Sequence, residues 1–339
     1  MKHPLHVLTL MLAMAIAPAW AAPGSPDRDE PTPTYVEQVG EALRWGDLDA
    51  LERLYAKTRA TDQRSPVSGR PAVDDFWSAI FNETSAGSRR GEGFYLQLDA
   101  LTARWARQHP DSTLAALLHA SGLQQRAWYH RGDGYRDSVS AQGAAEFERL
   151  LTESVERLQE ARQLASRDSA WNLLMLRAAR GLGWDLRRQL ELFDDGLRRN
   201  PDHDALYFAM QASLLPKWGG SQQLVERFIA EAVRRTEATR GLEMYARLFA
   251  AYSDDQVKLE LFTETRASWP SMKAGFEDRL RRHPMAGTRT RFAHFACLAG
   301  DRETLREQLE LLGDRFERDA WGPNPERRRD ECRRLARQS

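Results

Sequence analysis

The sequence predicts an all-α fold, an αα-hairpin superhelix, on three observations. From Thr34 onward apolar residues recur at three- and four-residue spacing, and no sustained alternating run of β-branched residues interrupts them. Glycine-aspartate junctions separate successive periodic segments, as tight helical hairpins require. Two helix starts, after Asp168-Ser169 and after Asn200-Pro201, lie about 33 residues apart, near the repeat length of tetratricopeptide-type hairpins. Such hairpins bury their apolar faces only by stacking on neighbours, which predicts a solenoid with a groove.

The elements follow in chain order. Residues 1–21 read as a secretory signal peptide: Lys2, an apolar run from Leu5 to Ala17, Pro18, and Ala19-Trp20-Ala21 as the cleavage site, with cleavage expected after Ala21. The apolar run is far shorter than the roughly 20 residues that span a bilayer, and no transmembrane segment is expected elsewhere. This predicts a periplasmic or secreted protein. Residues 22–34 form a linker, because Pro23, Pro26, Pro31 and Pro33 prevent a helix from propagating. The helical domain is expected over residues 35–316 and an arginine-rich tail over 317–339.

Within the domain, Thr34 and Glu37 have capping-box spacing. Glu41–Asp47 leads into Leu51 and Leu54, and Ala296–Asp301 leads into Leu305 and Leu309. In both, glycine suits the left-handed end of one helix and aspartate the start of the next. A long helix is expected from Ala141 to Ala165, striped by Phe147, Leu150, Leu151, Val155, Leu158, Ala161 and Leu164. Asn200-Pro201 reads as an N-cap with proline at the first helical position, opening a helix from Asp202 to Leu215. Pro216 stops it, Gly219 and Gly220 turn the chain, and Ser221 caps a helix carrying Leu224, Val225, Phe228, Ile229, Ala232 and Val233.

Composition narrows the function classes. With 42% hydrophobic and 29% charged residues over 339 positions the chain has material for a core, and 49 basic against 49 acidic residues give no net charge. No global field then draws it to nucleic acid, which is not an expected partner. Two arrangements are open for Cys297 and Cys332: a disulfide, which an oxidising compartment permits, or a buried free Cys297 with Cys332 on an undocked tail. Neither has metal or redox spacing, and no cofactor or metal is expected.

Two stretches concentrate unusual residues. Ala127-Trp128-Tyr129-His130-Arg131-Gly132-Asp133-Gly134-Tyr135, followed by Val139, gathers aromatics about two glycines. Leu214-Leu215-Pro216-Lys217-Trp218-Gly219-Gly220-Ser221 combines one tryptophan, one proline and two glycines in eight positions. Together they resemble the bacterial family catalogued as domain of unknown function 4034, with the likeness running from about Trp105 to Gly300. The resemblance implies an exported or envelope-associated helical protein related to tetratricopeptide-like folds, and it implies no established activity.

Lys217, Trp218, Gly219, Gly220, Trp128 and Tyr135 are therefore the candidate ligand- or partner-binding residues. Trp218 offers a ring to stack on, Lys217 a charge for an anion, and the glycines a close backbone approach. The same residues also serve a proline stop, a glycine turn and a tryptophan wedged between helices. His203 between Asp202 and Asp204 suggests either a cation site or an acidic first helical turn. No His-Glu-x-x-His, Gly-x-Ser-x-Gly, phosphate-binding loop or dinucleotide fingerprint occurs, so no catalytic residue is singled out. These features predict a helical scaffold without chemistry of its own, binding an envelope protein, a peptide or another extended ligand. The alternatives are an immunity or inhibitor protein against a secreted toxin, and a cell-wall or glycan-acting enzyme.

Overall fold

The computed structural model describes residues 34–59, 64, 69–132, 138–257, 260–315, 317–321 and 324–338. The signal and linker expected before Thr34, and Tyr135, lie outside them. Among the described residues there are seventeen α-helices and no strand. The first half holds α1 (Tyr35–Trp45), α2 (Leu48–Arg59), α3 (Ala72–Ala86), α4 (Glu92–Gln108), α5 (Thr113–Arg131), α6 (Ala141–Glu160), α7 (Arg162–Ala165) and α8 (Ser169–Gly181). The second holds α9 (Leu186–Arg199), α10 (Ala205–Ser213), α11 (Gln222–Arg240), α12 (Glu243–Tyr252) and α13 (Leu261–Glu264). It closes with α14 (Trp269–Arg282), α15 (Ala286–Ala299), α16 (Arg302–Leu312) and α17 (Pro325–Arg337).

The helices stack as antiparallel neighbours in chain order: α4 on α5, α5 on α6, α8 on α9, α11 on α12, α14 on α15 and α15 on α16. The result is an all-α array of helical hairpins, the solenoid arrangement. Local rules explain the junctions. The Thr34 hydroxyl accepts from the Glu37 amide at 3.3 Å while Glu37 accepts from the Thr34 amide at 2.6 Å, closing the capping box. Gly46 and Gly300 are left-handed, with φ of 67° and 72°. Asp47 and Asp301 then accept from Ala50 and Thr304 at 2.8 and 3.0 Å, and Leu51 and Leu305, four residues on, are fully buried.

Two expected elements differ. The helix from Ala141 breaks at Ala161, which ends α6 and precedes the short α7. Asn200 is not an N-cap but the C-cap that follows α9, its side chain accepting from the Asp202 amide at 3.0 Å in a turn. α10 starts only at Ala205 and ends at Ser213. The reason is tertiary, since the carboxylates of Asp202 and Asp204 are drawn away to arginines on later helices.

Three buried clusters form the core. The first runs from α1 to α8, the second from α8 to α15, and the third joins α15, α16 and α17. α8 is the seam, giving Leu174, Met175 and Ala178 to the first cluster and Leu173 and Leu176 to the second. The amino-terminal hairpin also reaches far along the chain. Tyr55 donates to Asp168 at 2.7 Å, 113 residues away, and Asp74 accepts from the Ala205 amide at 3.2 Å, 131 residues away. α17 carries the arginine-rich segment, packs on α16 and buries Cys332 and Ala336. Cys332 is bonded to Cys297 of α15, with the Cα atoms 5.6 Å apart. No helix among the described residues is long and apolar enough to cross a membrane.

Candidate functional site

The 214–221 string makes one tight corner between α10 and α11. Leu214 and Leu215 are buried, Pro216–Trp218 form a single 3-10 turn, and Ser221 accepts from the Leu224 amide at 3.2 Å. Gly219 has φ of 83°, and a β-carbon on Gly220 would lie 1.9 Å from the Leu214 carbonyl oxygen. Both glycines are thus required by the turn itself. Lys217 pairs with Asp255 at 3.0 Å, so a neighbouring helix answers its charge.

Trp218 is half-buried, and its ring meets Trp128 of α5 at 5.7 Å between centroids with the planes nearly perpendicular. Trp128 in turn packs edge-on against Phe147 of α6 at 4.8 Å. Two of the candidate residues, 90 positions apart in the chain, thereby become one aromatic surface.

Three arginines absent from the sequence-level candidates complete that surface. The Arg131 guanidinium lies 5.5 Å from the Trp128 ring and 5.4 Å from that of Trp218, and Arg180 lies 5.9 and 5.5 Å from the same two rings. One turn earlier on α8, Arg177 stacks over Phe81 of α3 at 3.9 Å. Among the described residues Arg177 and Arg180 make no ion pair or hydrogen bond, and the Nε of each is buried without a partner. Burial, with Arg180 beside it, pushes the Arg177 guanidinium down to about 9. Burial pushes Arg180 down to about 10, against a partial opposing pull from Asp255. A cation over an aromatic face recovers about 0.5–2 kcal/mol. Taking an ion out of water costs several kcal/mol, so the rings offset only part of that cost. The sequence did carry a signal, since Arg177 and Arg180 sit at i and i+3 in the otherwise largely apolar helix Ser169–Gly181.

The second charged region is different in kind. Asp204 and Glu243 stand at the amino-terminal ends of α10 and α12, where the helix dipole favours anions; Arg240, Arg279 and Arg282 stand at the carboxyl-terminal ends of α11 and α14, where it favours cations. Arg240 pairs with Asp204 at 2.5 Å and also with Asp202, and Arg247 pairs with Asp204 and with Glu243 at 3.3 Å. Glu243 also receives Arg279 at 2.7 Å and Arg282 at 2.8 Å. Burial opposes ionisation of Asp204, but Arg247 and Arg240 outweigh it and hold its carboxyl well below the usual range. Arg240 holds both flanking acids of the Asp202-His203-Asp204 triplet, which accounts for the triplet without a cation. No cluster of metal-ligating side chains occurs among the described residues.

Two clefts flank this network. One, of about 750 Å³, is lined by Arg64, Arg198, Arg235, Arg240 and Arg282 with only Asp194 and Asp202 in opposition. The other, of about 760 Å³, carries Arg70, Arg247, Arg279 and Arg291 over an aromatic floor of Phe208 and Phe276, with Glu317 at its edge. In both, guanidinium groups outnumber carboxylates.

His203 is fully buried between Ser169 and Asp74, with its Nδ1 2.8 Å from the serine hydroxyl and its Nε2 3.5 Å from the Asp74 carboxyl. The trio has the residue types of a nucleophilic triad, yet Ser169 and Asp74 are each only 4% exposed, so the serine is closed to solvent. It ties α3, α8 and α10 together. Burial pushes the His203 imidazole down to about 4, which keeps it neutral. Burial, reinforced by Asp204, pushes the Asp74 carboxyl strongly upward.

Comparison of the chain with protein-family models, with curated proteins and with solved structures finds no match.

Proposed function

We propose that this chain is an exported helical-repeat binding module, without chemistry of its own, that takes an acidic segment of an envelope protein or peptide along its two arginine-lined clefts. One observation carries the reading: both clefts gather cationic side chains around a network whose own carboxylates are already fully engaged. An incoming carboxylate meets guanidinium groups pre-oriented by those pairs, and Arg is suited to bidentate recognition of such groups. Phe208 and Phe276 add apolar area for a side chain beside the acidic one.

Export is part of the proposal. The Cys297–Cys332 bond supports it, because disulfides persist in oxidising compartments, and the pattern of residues 1–21 agrees. The likeness of residues 127–135 and 214–221 to the domain of unknown function 4034 family belongs to the same reading.

The test is affinity capture from envelope extracts with the chain lacking residues 1–21, using Arg235→Glu with Arg291→Glu as the comparison bait after circular dichroism shows it folded. A protein recovered by the parent and lost by the variant, with recovery falling as salt rises, is the expected result. Equal recovery by both baits would overturn the assignment to the clefts.

A further inference from the structure

We propose that Arg177 and Arg180 form a receptor for a phosphoryl group carried on a small ligand, with Trp128, Trp218 and Phe81 receiving the rest of that ligand. The site is separate from the two clefts and does not depend on the reading given to them.

Charge balance identifies the group. Arg177 and Arg180 project from one face of α8, where Arg180 disfavours the cationic form of Arg177, while among the described residues none supplies either with an ion pair or a hydrogen bond. Every arginine of the Asp204–Glu243 network, by contrast, holds at least one carboxylate. Two adjacent cations without a bonded partner, one of them only partly offset by Asp255, match a dianion, and a phosphate monoester supplies nearly two charges and three acceptor oxygens at neutral pH. A single carboxylate neutralises only one of them. Both side chains are half-buried, so their Nε atoms are shielded while the residues still reach the surface. Aromatic rings already flank both guanidinium groups, Phe81 at 3.9 Å from Arg177 and Trp218 at 5.5 Å from Arg180, which lowers the ordering cost of binding. Arg131, over the same two tryptophans, adds a third positive charge beside the site.

The ligand also has a second requirement. Trp128 and Trp218 are half-buried and meet edge to face, leaving apolar ring surface next to the cations. A phosphoryl group on a flat or apolar body therefore binds better than inorganic phosphate.

Isothermal titration of the chain lacking residues 1–21 tests this with phenyl phosphate, inorganic phosphate, benzoate and, at matched ionic strength, chloride. Phenyl phosphate is expected to bind saturably, and at least roughly tenfold more tightly than benzoate or inorganic phosphate. In Arg177→Met with Arg180→Met its affinity is expected to fall by roughly a further tenfold or more, while the cleft-dependent capture above is unchanged. If that variant does not fold, Arg177→Lys with Arg180→Lys takes its place: it keeps the charge, loses the planar fork, and is expected to lose most of the affinity. Heat no larger than with chloride would overturn the proposal, as would a folded variant that binds phenyl phosphate like the parent. Benzoate binding as tightly as phenyl phosphate would overturn the phosphoryl assignment.

Discussion

Arg177 and Arg180 of α8 and Arg247 beside Asp204 are alike half-buried but live under opposite electrostatic terms. Around Asp204 and Glu243 the cations are paired, two of them twice, and the helix ends that carry Arg240, Arg279 and Arg282 add favourable dipoles. On α8, Arg177 and Arg180 rest on aromatic rings without a bonded carboxylate, and only Arg180 feels a partial pull from Asp255. A buried cation with its partner holds the fold in place, whereas one without a partner costs the fold something and persists for another reason. The difference separates structure from site more sharply than residue type does, since both regions read simply as arginine-rich helix in the sequence.

The largest expected effect comes from breaking the paired region. Asp204→Ala leaves Arg240 and Arg247 without their shared carboxylate, and removing one partner of a buried pair costs about 3–5 kcal/mol. The shift of the urea unfolding midpoint measures it. Reducing Cys297–Cys332, or replacing both cysteines by alanine, is expected to cost about 4 kcal/mol for a closed loop of 35 residues. The same denaturation curve, with and without reductant, checks this, and the loss should be confined to stability because the bond lies outside both charged regions.

Trp218→Ala comes next. The tryptophan is half-buried against Trp128, so truncation is expected to cost about 2 kcal/mol, below the range for a fully buried ring. A loss that size with phenyl phosphate binding also weakened would show one residue serving both the corner and the site.

Per unit of the variable changed, the smallest effect is a pH slope at Asp74. Its carboxyl is raised in the folded chain by burial and by Asp204, so the fold favours the protonated form. That contribution is complete below the ordinary value of 3.8 and is lost as pH climbs toward the raised value. Relative to Asp74→Asn, the parent is therefore expected to lose stability with rising pH, by up to about 1.4 kcal/mol per pH unit. Thermal midpoints of the two proteins at pH 5, 6 and 7 check the sign (on the order of three points suffice). A gap that stays constant would place the titration elsewhere.

How much of this was legible in the sequence depended on the reach of each interaction. Thr34 with Glu37, Gly46 with Asp47, Gly300 with Asp301, and Ser221 complete their bonds within four residues, so their spacing was enough. Asn200-Pro201 obeyed the same local rule and misled, because Asp204 at the start of α10 spends its carboxylate on Arg240 and Arg247, 36 and 43 residues away. The Ala205 amide is then served by Asp74, from the far end of the chain. Trp128 and Trp218 were each visible as unusual residues, but their meeting requires the stack of hairpins to exist. Arg177 and Arg180 stand out in the sequence only as two charges at i and i+3 in a largely apolar helix, and the folded neighbours are needed to show that neither has a bonded partner among the described residues.

One paired measurement tests the contrast most directly: chemical denaturation of Arg247→Met beside Arg180→Met. Both remove a buried guanidinium and leave a side chain of similar length. Arg247→Met removes the cation that Asp204 and Glu243 share, leaving Asp204 to Arg240 and Glu243 to Arg279 and Arg282, and is expected to lose about 3 kcal/mol, while Arg180→Met breaks no ion pair or hydrogen bond among the described residues and is expected to hold or gain about 1 kcal/mol. Equal losses in the two variants would contradict the distinction between a paired framework and an unpaired site.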